Sequence, residues 1–220
     1  MRRVKKYGGQ KETWPIKDPK QLESFMLHLL KQKELAKTPV KKYQADRNWM
    51  LCLIGFNTAF RAEDLLQLRV MDLINGYVSI IENKTGKAQN FRMNNELHRD
   101  ILEYVKRNNL SQFDYMFLGQ KTVQDGKEYA LPITRQQAYY IVKDVSKAIG
   151  IGFIFGVHSL RKTFGYMFIK NGGSWQTLTK MYNHDDIEVT QRYVMWDIED
   201  AQKERAAIFI GAPHKKKKGK

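Results

Sequence analysis

The sequence predicts an α+β fold that is mainly helical and contains a small antiparallel β-hairpin. Helices are indicated by apolar residues that recur at i, i+3, i+4 and i+7, as in residues 22–30. The hairpin is indicated by two strand-like runs, YVSII at 77–81 and AQNFRM at 88–93, which flank a turn containing Gly86. Because helical patterns cover most of the remaining chain, the hairpin is expected to be a minor part of the fold.

Local start signals place the individual helices. Asp18 followed by Pro19 is an N-cap with proline at the first helical position, and Thr134 with Gln137 is a capping box. Ser174 offers an N-cap for a short helix. After the first helix, helical segments are predicted at about residues 43–56, 95–109, 134–149, 158–171, from 174, around 193 and at 196–210. A short apolar strand or buried segment is predicted at 115–118, and a loop at 119–132.

The charge balance limits the classes of partner. The chain has 220 residues, a formal net charge of +15 and a pI near 9.7. This excess favours a nucleic acid partner over the alternative of a solubilising surface with a charged tail. The longest apolar run, residues 49–56, is far shorter than the roughly 20 residues that span a bilayer, and the basic N-terminus lacks the apolar segment of a signal peptide. With Cys52 as the single cysteine, the sequence predicts a cytoplasmic protein with no membrane partner.

Several candidate functional residues lie between residues 158 and 193. His158 and Arg161 are three residues apart, so they share one face of a helix. His184 follows in a polar turn, and Tyr193 comes nine residues later in a short helical run. Two imidazoles, a guanidinium and a phenol on short connected helices can converge on one anion, and a phosphodiester is the candidate.

These segments resemble those of a known family. HSLRKTF at 158–164 and NHDDIEVTQRYV at 183–194 resemble the C-terminal motifs of the tyrosine recombinases, the lambda-integrase family. Upstream, TAFRAEDLLQLRVMDL at 58–73 resembles the first motif of that family, and ENKTGK at 82–87 resembles its hairpin. The resemblance covers about residues 18–197 and implies the tyrosine-recombinase catalytic fold. It assigns catalytic roles to Arg61, Lys84, His158, Arg161, His184 and Tyr193.

The sequence departs from the family pattern at several positions. The departures are Ala59 and Asn183 where glycine is usual, Asp64 where glutamate is usual, and Lys162 where histidine is common. Asp64 keeps a carboxylate, so it is expected to support Arg61 or a nearby histidine. Asn183 precedes His184, and a residue other than glycine is expected to alter the turn that aims this histidine.

The residue types meet the requirements for cleaving a phosphodiester with a tyrosine. Arg61 and Arg161 would stabilise the negative charge that develops on the phosphate. His158 or His184 would accept the proton of the phenol, whose ordinary pKa is about 10, or orient its hydroxyl. Lys84 would protonate the leaving 5′ oxygen. No cofactor is implied, and five scattered histidines with one cysteine give no metal-ligand spacing.

The resemblance implies a site-specific DNA recombinase that cleaves and rejoins DNA through a 3′-phosphotyrosyl intermediate. Two alternatives stay open: a DNA-binding regulator that keeps the fold without strand exchange, and a type IB topoisomerase. The implied partners are double-stranded DNA, further copies of the chain in a homotetramer or in dimers on DNA, and an accessory DNA-bending protein. The candidate DNA contacts are Arg135 and Gln136 at the start of a helix, Lys87, which also competes with Lys84 for the acid role, and Lys162.

Four regions are predicted along the chain. They are a basic flexible arm at 1–17, a catalytic domain at 18–197, a C-terminal helix at 198–211 and a basic tail at 212–220. The C-terminal helix would pack either on its own domain or on a neighbouring protomer. Family members commonly carry a separate N-terminal helical domain, whereas about 17 residues precede the first helix here. The chain is therefore expected to be a compact catalytic-domain recombinase or a fragment of a longer one.

Overall fold

The computed structural model describes residues 12–124, 127–208 and 210–211, and it confirms the mainly helical α+β class. The α-helices are α1 (Pro19–Leu35), α2 (Pro39–Asn57), α3 (Ala62–Gln67), α4 (Asn95–Arg107), α5 (Arg135–Ala148), α6 (Val157–Lys170), α7 (Trp175–Met181), α8 (Ile187–Tyr193) and α9 (Ile198–Ala207). A short 3₁₀ helix, Val70–Asp72, follows α3. The strands are β1 (Tyr77–Ile81), β2 (Ala88–Arg92), β3 (Leu118–Gln124) and β4 (Lys127–Pro132).

Two antiparallel hairpins lie within the described ranges. The predicted one pairs β1 with β2, with Tyr77 opposite Arg92 and Ile81 opposite Ala88. The second pairs β3 with β4, so the prediction of a loop at residues 119–132 is wrong. The two strands read LGQKTVQ and KEYALP, without a regular alternation of apolar residues. The sequence pattern therefore did not distinguish them from a loop.

The main core is built around α2. This helix packs against α1, α4 and α6, and its residues Met50 and Ile54 are fully buried. Gly55 lies so close to α6 that a Cβ atom there would come within 2.6 Å of Leu160 Cδ1. Leu160 directly precedes Arg161, so this close approach of two helices fixes the position of a predicted site residue.

A second, smaller apolar cluster joins α6, α7 and α8. Its buried members are Ala59, Ile169, Leu178, Tyr182 and Val194. Gly165 on α6 faces Tyr182 and Val194, and a side chain there would overlap both. The cluster therefore holds the segment that carries His184 and Tyr193 against α6.

The chain before α1 is ordered against the domain as far as it is described. Ile16 is fully buried, and its backbone N–H donates to Thr163 Oγ1 at 2.9 Å. The prediction of a flexible arm over residues 1–17 is therefore wrong for residues 12–17, while residues 1–11 lie outside the described residues. The sequence misled because the partner of Ile16 is 147 residues away along the chain.

The ends of two helices differ from the sequence prediction. α2 begins at Pro39 and not near Tyr43, because Thr38 caps its N-terminus with proline at the first helical position. α9 ends at Ala207 and not at residue 210. None of the helices within the described ranges combines the length and the apolar character needed to cross a membrane.

Candidate active site

One pocket brings together residues that lie far apart in the sequence. It has a volume of about 690 Å³ and is lined by Arg61, Ala62, Glu63, Lys84, Arg135, His158, Arg161, His184 and Tyr193. The set contains all six residues to which the resemblance assigns catalytic roles. They come from the start of α3, the β1–β2 turn, α6, the turn before α8, and α8 itself. This pocket is the candidate active site.

The two arginines converge on a single backbone oxygen. Arg61 Nη2 donates to the Tyr182 carbonyl at 3.2 Å, and Arg161 Nη2 donates to the same oxygen at 3.0 Å. Arg161 also covers the Tyr182 ring, with its guanidinium carbon 4.3 Å from the ring centroid. Arg161 is 2 % exposed, and its Nη1 has no hydrogen-bond partner among the residues that the structure describes. Arg161 thus brings this buried donor to the lining of the pocket.

The carboxylate partner of Arg61 is Glu82, a residue that sequence reasoning missed. Glu82 directly follows β1, and its buried side chain forms an ion pair with Arg61. Asp64, the carboxylate expected to support Arg61 or a histidine, forms no ion pair with them among the described residues, and its Oδ1 accepts from the Asn83 backbone N–H at 2.9 Å. The period-two pattern of β1 was the available signal, since it places residue 82 on the same face as the buried Val78.

His158, the second residue of α6, is engaged by Arg135. Arg135 Nη2 lies 3.2 Å from His158 Nε2. Because a guanidinium can only donate, Nε2 is the acceptor and Nδ1 carries the proton. Burial and the charge of Arg135 lower the pKa of His158, so the ring is neutral near pH 7. Arg135 also reaches Glu63 at 3.4 Å.

His184 lines the pocket, and Thr190 holds one of its two ring nitrogens. Its Nδ1 lies 3.0 Å from Thr190 Oγ1, and the Thr190 hydroxyl donates to the Asp186 carbonyl at 3.3 Å. The Thr190 oxygen then accepts from Nδ1–H, which leaves Nε2 with a lone pair. Burial, together with the charges of Arg161 and Arg61, lowers the pKa of His184 to about 4. The imidazole is therefore neutral over the physiological pH range.

The turn that precedes His184 keeps a backbone conformation that favours glycine. Asn183 has a φ of 52°, in the left-handed region that asparagine tolerates better than most residues. Asn183 thus adopts at this turn a conformation that glycine adopts readily. Ala59, the other position where glycine is usual, has a φ of 60°.

Tyr193 is the last residue of α8, and site residues surround its ring. Its ring centroid is 5.4 Å from that of Tyr182 and 5.4 Å from that of His184. The guanidinium carbon of Arg161 lies 5.9 Å from the same centroid. Burial raises the pKa of Tyr193, and the charges of Arg161 and Arg61 oppose that rise. The phenol thus lies beside a neutral imidazole and a guanidinium.

The two candidate lysines of the β1–β2 turn differ in position. Both Lys84 and Lys87 are exposed. Lys84 lines the pocket with the arginines and Tyr193, and Lys87 does not. The geometry therefore favours Lys84 as the lysine of the site.

Comparisons with known proteins agree with this geometry. A family model described as the phage integrase family matches residues 19–199. The chain is 34% identical over 176 residues to the probable integrase/recombinase YoeC of Bacillus subtilis (strain 168). This match covers 78% of this chain and 91% of YoeC. The chain belongs to the phage integrase family. The resemblance to tyrosine recombinases is thereby confirmed.

Other family members are longer than the matched region. Tyrosine recombinase XerD of Staphylococcus haemolyticus is 26% identical over 198 residues, 86% of this chain and 64% of XerD. The crystal structure of XerA recombinase has a TM-score of 0.66 at 16% identity, covering 90% of this chain and 66% of XerA. XerH bound to palindromic difH substrate in a post-cleavage complex has a TM-score of 0.65 at 19% identity. The match covers 93% of this chain and 55% of the XerH chain. The chain thus spans about two thirds or less of the Xer proteins and shares their catalytic-domain fold.

Of the predicted DNA contacts of this family member, Lys162 is contradicted by the structure. Lys162 is 4 % exposed, and its Nζ donates to the Thr13 carbonyl at 2.8 Å and pairs with Glu12 at 3.2 Å. Lys162 is therefore held between residues 12–17 and the nucleophile segment, with its Nζ 5.1 Å from the centroid of the Tyr193 ring. Arg135 and Gln136, by contrast, are exposed at the start of α5.

Proposed function

We propose that this chain is a tyrosine-type site-specific DNA recombinase. It cleaves one DNA strand, holds the end as a 3′-phosphotyrosyl link on Tyr193 and rejoins it to a new end. The observation that carries the proposal is the convergence of Arg61 and Arg161 on one backbone oxygen, with the Arg161 guanidinium carbon 5.9 Å from the Tyr193 ring centroid. A phosphate in this pocket would meet two permanently charged guanidinium groups as negative charge develops on it in the transition state.

The cleavage step forms a bond between the Tyr193 oxygen and phosphorus and breaks the bond between phosphorus and the 5′ oxygen. The phenol proton passes to a neutral histidine, and the Lys84 ammonium gives a proton to the leaving 5′ oxygen. Rejoining is the reverse step. A 5′ hydroxyl attacks the link, its proton returns to Lys84, and the Tyr193 oxygen leaves and recovers its proton from the histidine.

His184 fits the role of proton acceptor better than His158. Its ring is in contact range of the Tyr193 ring, and its Nε2 carries a lone pair when Nδ1 donates to Thr190. The acceptor nitrogen of His158 is already engaged by Arg135. His158 would therefore take part only after Arg135 has moved, for example onto DNA.

Double-stranded DNA is the proposed substrate. The net charge of +15 supports a polyanionic partner. Similar structures were solved with their substrates: XerH is bound to difH substrate, and the Tn1549 transposon integrase is in complex with a circular intermediate DNA. We assign contacts with DNA to Arg135, Gln136 and Lys87, which are exposed around the pocket mouth or on the adjacent turn. A cytoplasmic location follows from this substrate as part of the proposal.

Assembly on DNA is also part of the proposal. α9 lies on its own domain through Asp200, which accepts from Lys17 Nζ at 2.6 Å and from Tyr166 Oη at 2.7 Å. Ile198 and Ile208 at the two ends of the helix are 75% and 69% exposed. These apolar side chains would pack on a neighbouring protomer in a homotetramer or in dimers, with an accessory DNA-bending protein as a further partner.

A nicked suicide duplex tests the function directly. Cleavage near the nick releases a short fragment and traps the protein as an adduct that resists SDS. Wild type is expected to form the adduct, Tyr193→Phe to form none while it still binds DNA, and Tyr77→Phe, at an exposed tyrosine on β1, to match wild type. Binding of the correct site without any adduct in wild type would instead favour a non-catalytic DNA-binding regulator.

A further inference from the structure

Glu82 is a buried charge that the reaction as proposed does not use. It is 1 % exposed and lies two residues before Lys84, between β1 and the turn. A buried carboxylate is costly unless it is paired and hydrogen-bonded. The partners of Glu82 therefore indicate what its burial achieves.

On one side, Glu82 closes the turn that carries Lys84. Glu82 Oε2 accepts from Thr85 Oγ1 at 2.6 Å. The Glu82 backbone N–H donates to the Lys87 carbonyl at 3.0 Å, and its carbonyl accepts from the Gly86 N–H at 2.9 Å. Side chain and backbone of one residue thus hold both ends of the turn.

On the other side, Glu82 reaches the arginine pair. It forms an ion pair with Arg61, and its Oε1 accepts from Gln89 Nε2 at 2.5 Å. Gln89 Nε2 also lies 3.2 Å from the Met181 carbonyl at the end of α7. The next residue is Tyr182, whose carbonyl accepts from both arginines. One carboxylate therefore connects the hairpin, Arg61 and the end of α7.

The charge state of Glu82 suits this connecting role. Burial by itself raises the pKa of Glu82, but the hydrogen bond from Thr85 and the charge of Arg61 outweigh burial, so the pKa lies below its ordinary value. The carboxylate is therefore ionised at neutral pH. It holds part of the planar Arg61 guanidinium and so orients the donors that remain for a phosphate.

We propose that Glu82 is a positioning residue that couples the Lys84 turn to Arg61 and Arg161. It would thereby place the proton donor Lys84 and the two arginines at the same phosphate. The inference rests on the recombinase function proposed above. Thr85 and Arg61 contact the same Oε2 atom, so a movement of the turn is transmitted to the guanidinium. A misplacement of about 1 Å can cost an enzyme about 10²-fold in rate, which is the scale expected when this link is removed.

The test compares single-turnover cleavage of two nicked suicide duplexes, one with the ordinary 5′ oxygen at the scissile phosphate and one with sulfur in its place. A thiolate leaves without a proton, so the sulfur duplex removes the need for a general acid but keeps the need for the arginines. For Glu82→Gln we expect cleavage of the oxygen duplex to slow by about 10²-fold. The ratio of oxygen to sulfur rates should fall by at least about tenfold relative to wild type, as it should for Lys84→Ala. Glu82→Asp, which keeps the charge, should regain part of the loss.

Two further variants separate positioning from a defect in folding. Thr85→Val leaves the buried ion pair in place and removes one hydrogen bond at an exposed residue. It should shift the oxygen-to-sulfur ratio in the same direction as Glu82→Gln, by a smaller factor. Glu103→Gln removes the same charge from an exposed position on α4 and should match wild type.

An unchanged ratio in both Glu82→Gln and Thr85→Val, with a normal wild-type adduct, would overturn the inference and leave the recombinase proposal intact. Faster cleavage by Glu82→Gln would also overturn it, because the carboxylate would then compete with the phosphate for Arg61. If wild type formed no adduct through Tyr193, the proposed function would fail first and the positioning role would fail with it.

Discussion

The two sides of the pocket differ in how firmly the structure holds them. On the side formed by α6 and α8, Arg161 is 2 % exposed, and the rings of Tyr182 and Tyr193 are 5.4 Å apart. On the side formed by the β1–β2 turn and α5, Lys84 is exposed and the Arg135 side chain is 63% exposed. Tyr193 and Arg161 are therefore packed into the domain, whereas Lys84, the proposed acid, and Arg135, a candidate DNA contact, are open to solvent.

The difference indicates which parts of the site DNA must complete. Ordering a long lysine or arginine side chain costs up to about 2 kcal/mol of rotamer entropy. On the open side, Lys84 and Arg135 lose this rotamer freedom only when DNA binds. On the packed side, the rotamer freedom is already lost during folding, through contacts such as the hydrogen bond from Arg161 to the Tyr182 carbonyl. Substitutions on the packed side should therefore affect cleavage and stability together, and those on the open side should affect cleavage or binding alone.

Lys84→Ala should have the largest effect on the open side. We expect single-turnover cleavage to slow by about 10²–10⁴-fold, the range for losing a general acid, without a change in the thermal unfolding midpoint. Lys87→Ala, in the same turn, is the matched control and should affect DNA binding more than cleavage. Equal losses of cleavage in the two variants would contradict the preference for Lys84.

Arg161→Lys should show the combined effect of the packed side. Loss of the guanidinium fork should slow cleavage by about 10²–10³-fold, and loss of its buried hydrogen bond should lower the free energy of unfolding by about 1–3 kcal/mol. Kinetics and urea unfolding measure the two effects on the same sample. Arg192→Lys, an exposed arginine on α8, should change neither. Slow cleavage with unchanged stability would place Arg161 with the open side.

Arg135→Ala should have an intermediate effect on DNA recognition. If Arg135 reads a base edge, we expect a loss of about 1–3 kcal/mol that is confined to one base pair of the target, with Gln136→Ala as the neighbouring comparison. Binding titrations over single-base variants of the site at two salt concentrations measure it. A uniform loss over all sequences, with the salt slope lowered by about one, would identify a phosphate contact instead.

The smallest effect should be the dependence of stability on pH. The pKa of His184 is about 4 in the folded chain, below the ordinary value of 6.5, so the unfolded chain binds a proton first as the pH falls. The free energy of unfolding should therefore decrease as the pH falls from about 6.5 to 4. Urea unfolding across this window should show a smaller decrease for His184→Gln than for wild type. The control is His28→Gln, a half-buried histidine on α1 outside the pocket.

Local signals in the sequence were sufficient for most of the fold. The predicted N-caps at Asp18, Thr134 and Ser174 are all present, because capping depends on residues two or three positions apart. The β1–β2 hairpin was predictable because its apolar residues and turn are contiguous. The six catalytic candidates that line the pocket could be selected from family motifs, since those motifs preserve the spacing along the chain.

Features that depend on distant partners were not predictable. Ile16 is buried against Thr163, and Lys162 bonds to Thr13, yet nothing local in residues 12–17 marks them as part of the core. The choice of Glu82 as the partner of Arg61 depends on how the hairpin packs against α3. A local sequence pattern reports which face a residue occupies, but it does not report which element covers that face.

The most direct measurement is the location of the tyrosine that carries the DNA. Trypsin cleaves after Arg192, so Tyr182 and Tyr193 fall in separate peptides, residues 181–192 and 193–203. After the suicide adduct is trapped and its DNA is digested to a short remnant, mass spectrometry should find the remnant on the 193–203 peptide alone. A remnant on the 181–192 peptide, or on any other tyrosine, would contradict Tyr193 as the nucleophile and the reaction built around it.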